Sequence, residues 1–501
     1  MFEVWHSDLA ARIGRLQTLH GVVETPAFVP VVHPVRQTVS TKFLKRMGFD
    51  LVITNAYITL RHYGDEARRR GIHDIISYDG AVMTDSGGYQ VLEYGSVEVE
   101  PAMIAQFEDD IKSDIPIPLD RPTGYGLEYE KAKEYVDITL RNASESLRTI
   151  GSTGAIWVAP VQGAEHFDLV QYSARELDTM GFAMMALGSP VELMEAYEFA
   201  TLARMIVSAK RVIPAKPIHL FGAGHPLTIP LAIALGCDTF DSASYMLYAK
   251  DNRYMTTNGT IRLNELSHLS CQCPVCSSHT VQELQKMEMD KRIVEIAKHN
   301  LHILKAEVEA VKQAIMDGRL WEYVMQKARA HPKLMEAAQI FKDVDLLEEG
   351  TPLFKEKAIF FYDPIDQHRP EAKRFRKAVA TFQSSKKKKK LIICTEDEVH
   401  PLYSTTTYKN IVKKFPDAQI CSYSPFLGII PAEISDIFPA SHNLAIRSGH
   451  KLEDYPTFIE SLKSFADKFE KIVVIAPDDF MKQATKAAML NVHLVDDISA
   501  L

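Results

Sequence analysis

Cys271, Cys273 and Cys276 fall within six residues, in the run SCQCPVC. Three thiolates on one tight turn fill three corners of a tetrahedron, and an imidazole or a fourth thiolate would close it into a zinc site. Two histidines follow. His279 is close in sequence, whereas His299 is separated from Cys276 by 22 residues and would pin a later helix to the turn. Four protein ligands leave no position open to substrate, so the expected cofactor is one structural zinc ion per chain. Such clustering is unlike the dispersed cysteines of a disulfide framework.

The second chemical signal is a set of carboxylates. Asp85 opens DSGGYQ, where Ser86, Gly87 and Gly88 let backbone approach a flat ligand and Tyr89 could stack on it. Asp241 sits in TFDSASY, with Lys250, Arg253 and Tyr254 downstream as candidate phosphate contacts, and Asp120 in PIPLDRPTG could accept N–H bonds from a base edge. Two carboxylates facing one substrate can divide covalent and acid/base work, as in glycoside hydrolysis. The competing reading of any one of these aspartates is a helix N-cap.

What positions them is a rhythm of short apolar runs, AFVPVV, DLVIT, AVMTD, IPIPLD, IWVAPVQG, AMMALG, IHLFGAG and DTFDSA, separated by helical patterns between about residues 27 and 245. Eight such units fit a (β/α)8 TIM-type barrel better than a doubly wound sheet, and the polar residues ending the runs would line its carboxyl rim. Residues 287–316 read as one long amphipathic helix. The expected organisation is a catalytic barrel with a zinc-binding insertion over 1–345, a linker over 346–356, and a smaller α/β domain over 357–501 that could contact RNA.

With 57 basic and 65 acidic side chains, the net charge is −8, which excludes a wholly basic nucleic-acid binder. No apolar run approaches the roughly 18–20 residues of a membrane span, and the first residues do not read as a secretory signal, so a cytoplasmic protein is expected. Nine basic residues between 373 and 390 read either as a solvated surface or as a local phosphate-contacting patch.

Taken together, DSGGYQ, PLDRPTG, PVQG, LGSP, HLFGAGHP, DTFDSASYMLYAKDNRYM and SCQCPVC with a later HN resemble the archaeal tRNA-guanine transglycosylases. The resemblance spans about residues 1–345. It implies an enzyme, a pentosyltransferase, that replaces guanine at position 15 of tRNA with 7-cyano-7-deazaguanine, the first tRNA-level step toward archaeosine. By that likeness Asp241 is the nucleophile and Asp85 the general acid/base. Ser86, Asp120, Gln162 and Gly188 would meet the base, Tyr89 and Phe221 would sandwich it, and Cys271, Cys273, Cys276 and His299 would hold zinc. A homodimer is implied as well. Family members normally carry a terminal RNA-binding PUA domain; here the sequence ends at Leu501, so a separately encoded PUA-domain protein is an expected partner. Rival readings are an archaeosine synthase-like paralogue acting on the inserted base, and a non-catalytic tRNA-binding subunit.

Overall fold

The computed structural model describes residues 2–88, 100–151, 154–383, 388–395, 401–446 and 449–497. The chain divides into two compact units, one of residues 1–316 and 320–340, the other of residues 317–319 and 341–501.

The first unit begins with an antiparallel meander, β1 (Phe2–Asp8), β2 (Ala11–Thr18) and β3 (Gly21–Thr25). Eight parallel strands follow: β4 (Ala27–Pro30), β5 (Leu51–Asn55), β6 (Ala81–Asp85), β7 (Ile115–Ile117), β8 (Val158–Val161), β9 (Met184–Leu187), β10 (Ile218–Leu220) and β11 (Thr239–Ser242). Each of the eight apolar runs is a strand. The ring closes where β11 pairs with β4, Asp241 beside Val29. Val31 bridges to Ile53 on one side, and the seam between β7 and β8 is spanned by the Ile156 amide donating to the Asp114 carbonyl at 2.8 Å. The fold is a (β/α)8 barrel.

Period-two alternation decides what fills it. Val29, Leu51, Ile53, Ala81, Met83, Ile115, Ile117, Val158, Met184 and Ala186 form one buried cluster, joined by Leu16 and Val23 of the meander. Carrying each inward series one step further reaches Asn55, Asp85, Gln162 and Gly188, which therefore stand at the carboxyl rim. Hydrocarbon below and polar groups at the tips follow from the same parity.

Beyond the barrel strands lie the hairpin β12 (Arg253–Thr256) and β13 (Gly259–Arg262) and the helix Met289–Met316. That helix buries Ile296, His299, Leu301, Leu304 and Val308. No helix among the described residues is long and apolar enough to cross a membrane.

The second unit contains a five-stranded sheet, with β15 (Lys390–Cys394) between β16 (Ala418–Ser424) and β19 (Lys471–Ile475). Its edges are β17 (Gly428–Pro431), antiparallel, and β20 (Val492–Val495). A parallel pair, β14 (Ile359–Phe361) and β18 (Asn443–Ala445), accompanies it. Alternate residues of β15 feed two cores: Leu391 and Ile393 pack with Phe375, Phe458 and Met481, while Ile392 and Cys394 pack with Leu402 and Ile411. This unit is α/β, covered on both faces. Within residues 346–356, expected as a linker, the chain forms the helix Leu346–Gly350 with Leu347 buried.

The described part of the basic run is largely engaged inside this unit. Lys373 donates to the Lys342 carbonyl at 2.7 Å and Arg376 to the Gln367 carbonyl at 2.6 Å. Arg374 donates to the carbonyls of Pro352 and Thr351, and Lys388 pairs with Glu433 at 2.9 Å. These residues fasten segments of the unit together. Residues 384–387 lie outside the described residues.

Candidate active site

Asp85 and Asp241 end β6 and β11 on one rim, in unequal surroundings. Beside Asp85, in register on β5, is Asn55. Its side-chain Oδ1 accepts from the Ile58 amide at 2.8 Å, capping the next helix, and its Nδ2 donates to Asp85 Oδ2 at 3.0 Å. The Gly87 amide adds a 3.4 Å contact to Oδ1. Burial pushes the Asp85 carboxyl up to about 6; the charge of Asp241 pushes the same way, against the hydrogen bonds from Gly87 and Asn55.

Asp241 is better supplied with donors. Its Oδ1 accepts from the Gly222 amide at 3.0 Å and lies 3.1 Å from His219 Nε2. Gly222 is held at φ +68°, and a Cβ there would stand 2.3 Å from Val191 Cγ2, so only glycine can bring that amide to the carboxylate. The N-cap reading fails for Asp241, since the helix Ser244–Lys250 starts after Ala243 and has no side-chain cap.

Asp120, Gln162 and Gly188 make the facing wall. Gln162 Nε2 donates to Asp120 Oδ2 at 2.5 Å. Its Oε1 accepts from the Thr123 amide at 3.1 Å and from Ser189 Oγ at 3.0 Å, which fixes the orientation of the amide. Burial, then the neighbouring charge of Asp85, raises the Asp120 carboxyl to about 7. A Cβ on Gly88 would fall 1.7 Å from Asp120 Oδ1, and one on Gly188 would fall 2.0 Å from Gln162 Nε2. Gly188 thus contributes room. Its amide is already bonded to the Val161 carbonyl at 2.9 Å.

Ser86 is 1% exposed, and its hydroxyl has no hydrogen-bond partner among the described residues. A buried hydroxyl in that condition costs about 1–3 kcal/mol unless something arrives to bond it. Phe221, one residue beyond β10, sets its ring edge-on to His219 at 4.9 Å. Tyr89 lies outside the described residues.

The thiols of Cys271, Cys273 and Cys276 and a ring nitrogen of His299 lie within 4.8 Å of one another. His279 is not among them. Cys273 and Cys276 are 3.5 Å apart at sulfur, and His299 Nδ1 is 3.5 and 3.3 Å from them. Tetrahedral zinc with bonds of about 2.3 Å to sulfur and 2.0 Å to nitrogen separates ligand atoms by roughly 3.5–3.8 Å, so the set fits such an ion. His299 Nε2 is 2.8 Å from the Met255 carbonyl, which keeps the proton there and leaves Nδ1 bare toward the thiols. Tyr254, expected at phosphate, belongs here instead: it is buried, stacks on His299 at 3.7 Å, and its hydroxyl lies 3.1 Å from Cys276 Sγ. β12 buries Tyr254 and Met255 side by side, while Arg253 pairs with Asp251 at 2.7 Å.

His219 was not among the expected site residues. The signal for it was available: on the IHLFG run it occupies the inward position below Phe221, where β4 to β9 carry hydrocarbon.

Comparison with known proteins bears on this geometry. The family described as queuine tRNA-ribosyltransferase matches residues 7–333. The tRNA-guanine(15) transglycosylase of Aeropyrum pernix is 41% identical over 449 residues, covering 88% of this chain and 86% of that protein. That of Sulfolobus acidocaldarius is 39% identical over 446 residues, 87% of each. That of Methanocaldococcus jannaschii is 38% identical over 488 residues, 93% of this chain and 71% of the longer relative.

Proposed function

Because this chain belongs to the queuine tRNA-ribosyltransferase family, we propose that it exchanges guanine at position 15 of tRNA for 7-cyano-7-deazaguanine through a covalent ribosyl ester on Asp241. The observation that carries this reading is the unequal pair of rim carboxylates. Asp241 holds two contacts on Oδ1, and its Oδ2 receives no donor among the described residues. Asp85, raised to about 6 by burial, is suited to carry a proton near neutral pH.

In the first half, Asp241 Oδ2 attacks the ribose C1′ as the bond to guanine N9 breaks, and Asp85 gives the departing base a proton. In the second half, Asp85 takes the N9 proton of the incoming base, N9 attacks C1′, and the ester bond to Oδ2 breaks. The base must leave its stack for this, and a narrow slot with a few edge contacts is how such bases are held. Asp120 accepts N–H bonds from the base edge. Among the described residues, Ser86 Oγ and the second proton on Gln162 Nε2 are polar groups left for it, and Phe221 offers one flat wall, the other being assigned to Tyr89 by the family resemblance alone. One zinc ion on Cys271, Cys273, Cys276 and His299 would tie the helix Met289–Met316 to the cysteine turn; it takes no part in the chemistry. A tRNA-modifying enzyme of this kind works in the cytoplasm.

The test is incorporation of radiolabelled guanine and of 7-cyano-7-deazaguanine into unmodified tRNA, with adducts read on denaturing gels. Wild type should exchange both and form an adduct that Asp241→Asn cannot form. An adduct that persists in Asp241→Asn and disappears in Asp85→Asn would reverse the two roles. Absence of exchange together with modification of tRNA that already carries the cyano base would favour the synthase-like paralogue.

A further inference from the structure

Inside the barrel, β4 to β9 present hydrocarbon, but the inward positions of β10 and β11 hold His219 and Thr239, both 0% exposed. The two are in register. Polar side chains at such positions are costly unless bonded, and these two are bonded in series. Thr239 Oγ1 is 2.9 Å from His219 Nδ1, and His219 Nε2 is 3.1 Å from Asp241 Oδ1.

The direction of the chain follows from the donors available. The Thr239 hydroxyl has no acceptor other than Nδ1 among the described contacts, so its proton points there. Nδ1 is then bare, and the ring proton sits on Nε2, aimed at the carboxylate. With the Gly222 amide on the same oxygen, Oδ1 receives two donors, and Oδ2 receives none among the described residues.

We propose that His219, its tautomer set by Thr239, is a positioning residue that fixes the Asp241 carboxylate so that Oδ2 is the attacking oxygen. This rests on the reading of Asp241 as nucleophile. As Oδ2 bonds to C1′ and the C1′–N9 bond breaks, Oδ1 becomes the carbonyl oxygen of the ester. When the C1′–Oδ2 bond breaks in the second half, the electron pair returns to the carboxylate, and the charge reappearing on Oδ1 meets two donors already in place. No proton leaves Nε2. The arrangement therefore favours turnover and contributes nothing to holding tRNA.

The test uses full-length enzyme and unmodified tRNA. His219→Phe should lower kcat for guanine exchange on the order of 100-fold with KM for tRNA unchanged. His219→Gln places an amide nitrogen near the Nε2 position and should recover most of the loss. His219→Asn reaches only the Nδ1 position and should not. Thr239→Val should slow the wild-type enzyme but add nothing in the His219→Gln background, where no tautomer needs fixing. Wild-type kcat in His219→Phe, equal rescue by Asn and Gln, or a loss confined to KM or to melting temperature would each overturn the proposal. Should His219→Phe prove unfolded, Thr239→Val alone decides by its kcat. Failure of the underlying reading looks different: an adduct formed by Asp241→Asn removes the nucleophile assignment whatever His219 does. If Asp241→Asn forms no adduct while His219→Phe turns over at the wild-type rate, only the positioning role falls.

Discussion

Asp120→Asn should make the enzyme more stable above neutral pH while removing its proposed contact with the base. The Asp120 carboxyl is raised from 3.8 to about 7, chiefly by burial and next by the charge of Asp85. The folded state therefore holds this proton more tightly than the unfolded chain does. Stability from the neutral acid is complete below about pH 4 and is lost as pH rises through about 7. A rise of that size corresponds to at most about 4 kcal/mol, because the side chain keeps some contact with solvent. Asparagine carries no such penalty. Gln162 cannot turn, since Thr123 and Ser189 occupy its Oε1, so the asparagine must offer its own oxygen to Gln162 Nε2, a contact that does not vary with pH. Thermal melting of wild type and variant from pH 4.5 to 8 should show a stability difference that grows with pH and levels off above about 7, together with loss of guanine exchange. A difference independent of pH, or a variant less stable at pH 8 than at pH 5 relative to wild type, would refute the reasoning.

Single-turnover measurements should separate the two halves of the exchange by pH. Asp85, raised to about 6, must be protonated for guanine to leave and ionised for the incoming base to lose its proton; adduct formation should slow above about pH 6 and adduct capture should quicken, and parallel profiles would contradict the assignment. Cys273→Ala should release zinc and lower the melting temperature, because a structural site contributes folding free energy directly; zinc retained at one per chain with unchanged melting would count against it. In the second unit, Glu371 is buried against Lys355 at 2.5 Å and Arg369 at 3.3 Å, so Glu371→Gln leaves two buried cations without that charge and should cost about 3–5 kcal/mol; an unchanged urea midpoint for the second unit would show the triad to be neutral.

The barrel was legible because its strands are short apolar runs whose last inward residue is polar. LVITN and AVMTD announce both the strand and the rim residue that ends it. The cysteine turn was legible because metal ligation restricts spacing more tightly than packing does. The meander of residues 2–25 was missed: its strands alternate irregularly in burial, with four consecutive exposed positions in β1, so no clean period marks them. Tyr254 was misplaced because the residues around it, Lys250 and Arg253, suggested phosphate, whereas its ring is buried against His299. The basic run left two readings open, a solvated surface or a phosphate-contacting patch, because composition counts charges without their partners; the carbonyls that receive Lys373, Arg374 and Arg376 come from segments up to 31 residues away in sequence.

The proposed division of labour between Asp85 and Asp241 has the same origin as the fold. Both are the terminal members of inward series, so both reach the rim by identical geometry. What differs is the residue below and beside each. Under Asp85 lie Ala81 and Met83, side chains that cannot donate, and its donors are Asn55 and a long contact from Gly87. Hydrocarbon at its base raises its affinity for a proton. Beside Asp241 lies His219, with the Gly222 amide available because no side chain blocks the approach. Two donors meet its Oδ1 there. Each charge also acts on the other: an ionised Asp241 helps keep Asp85 protonated, and a protonated Asp85 spares Asp241 a like-charged neighbour. On the proposed assignment, two identical carboxylates come to differ because Met83 lies one step below Asp85, whereas His219, on the strand next to that of Asp241, reaches across to its Oδ1 inside the barrel.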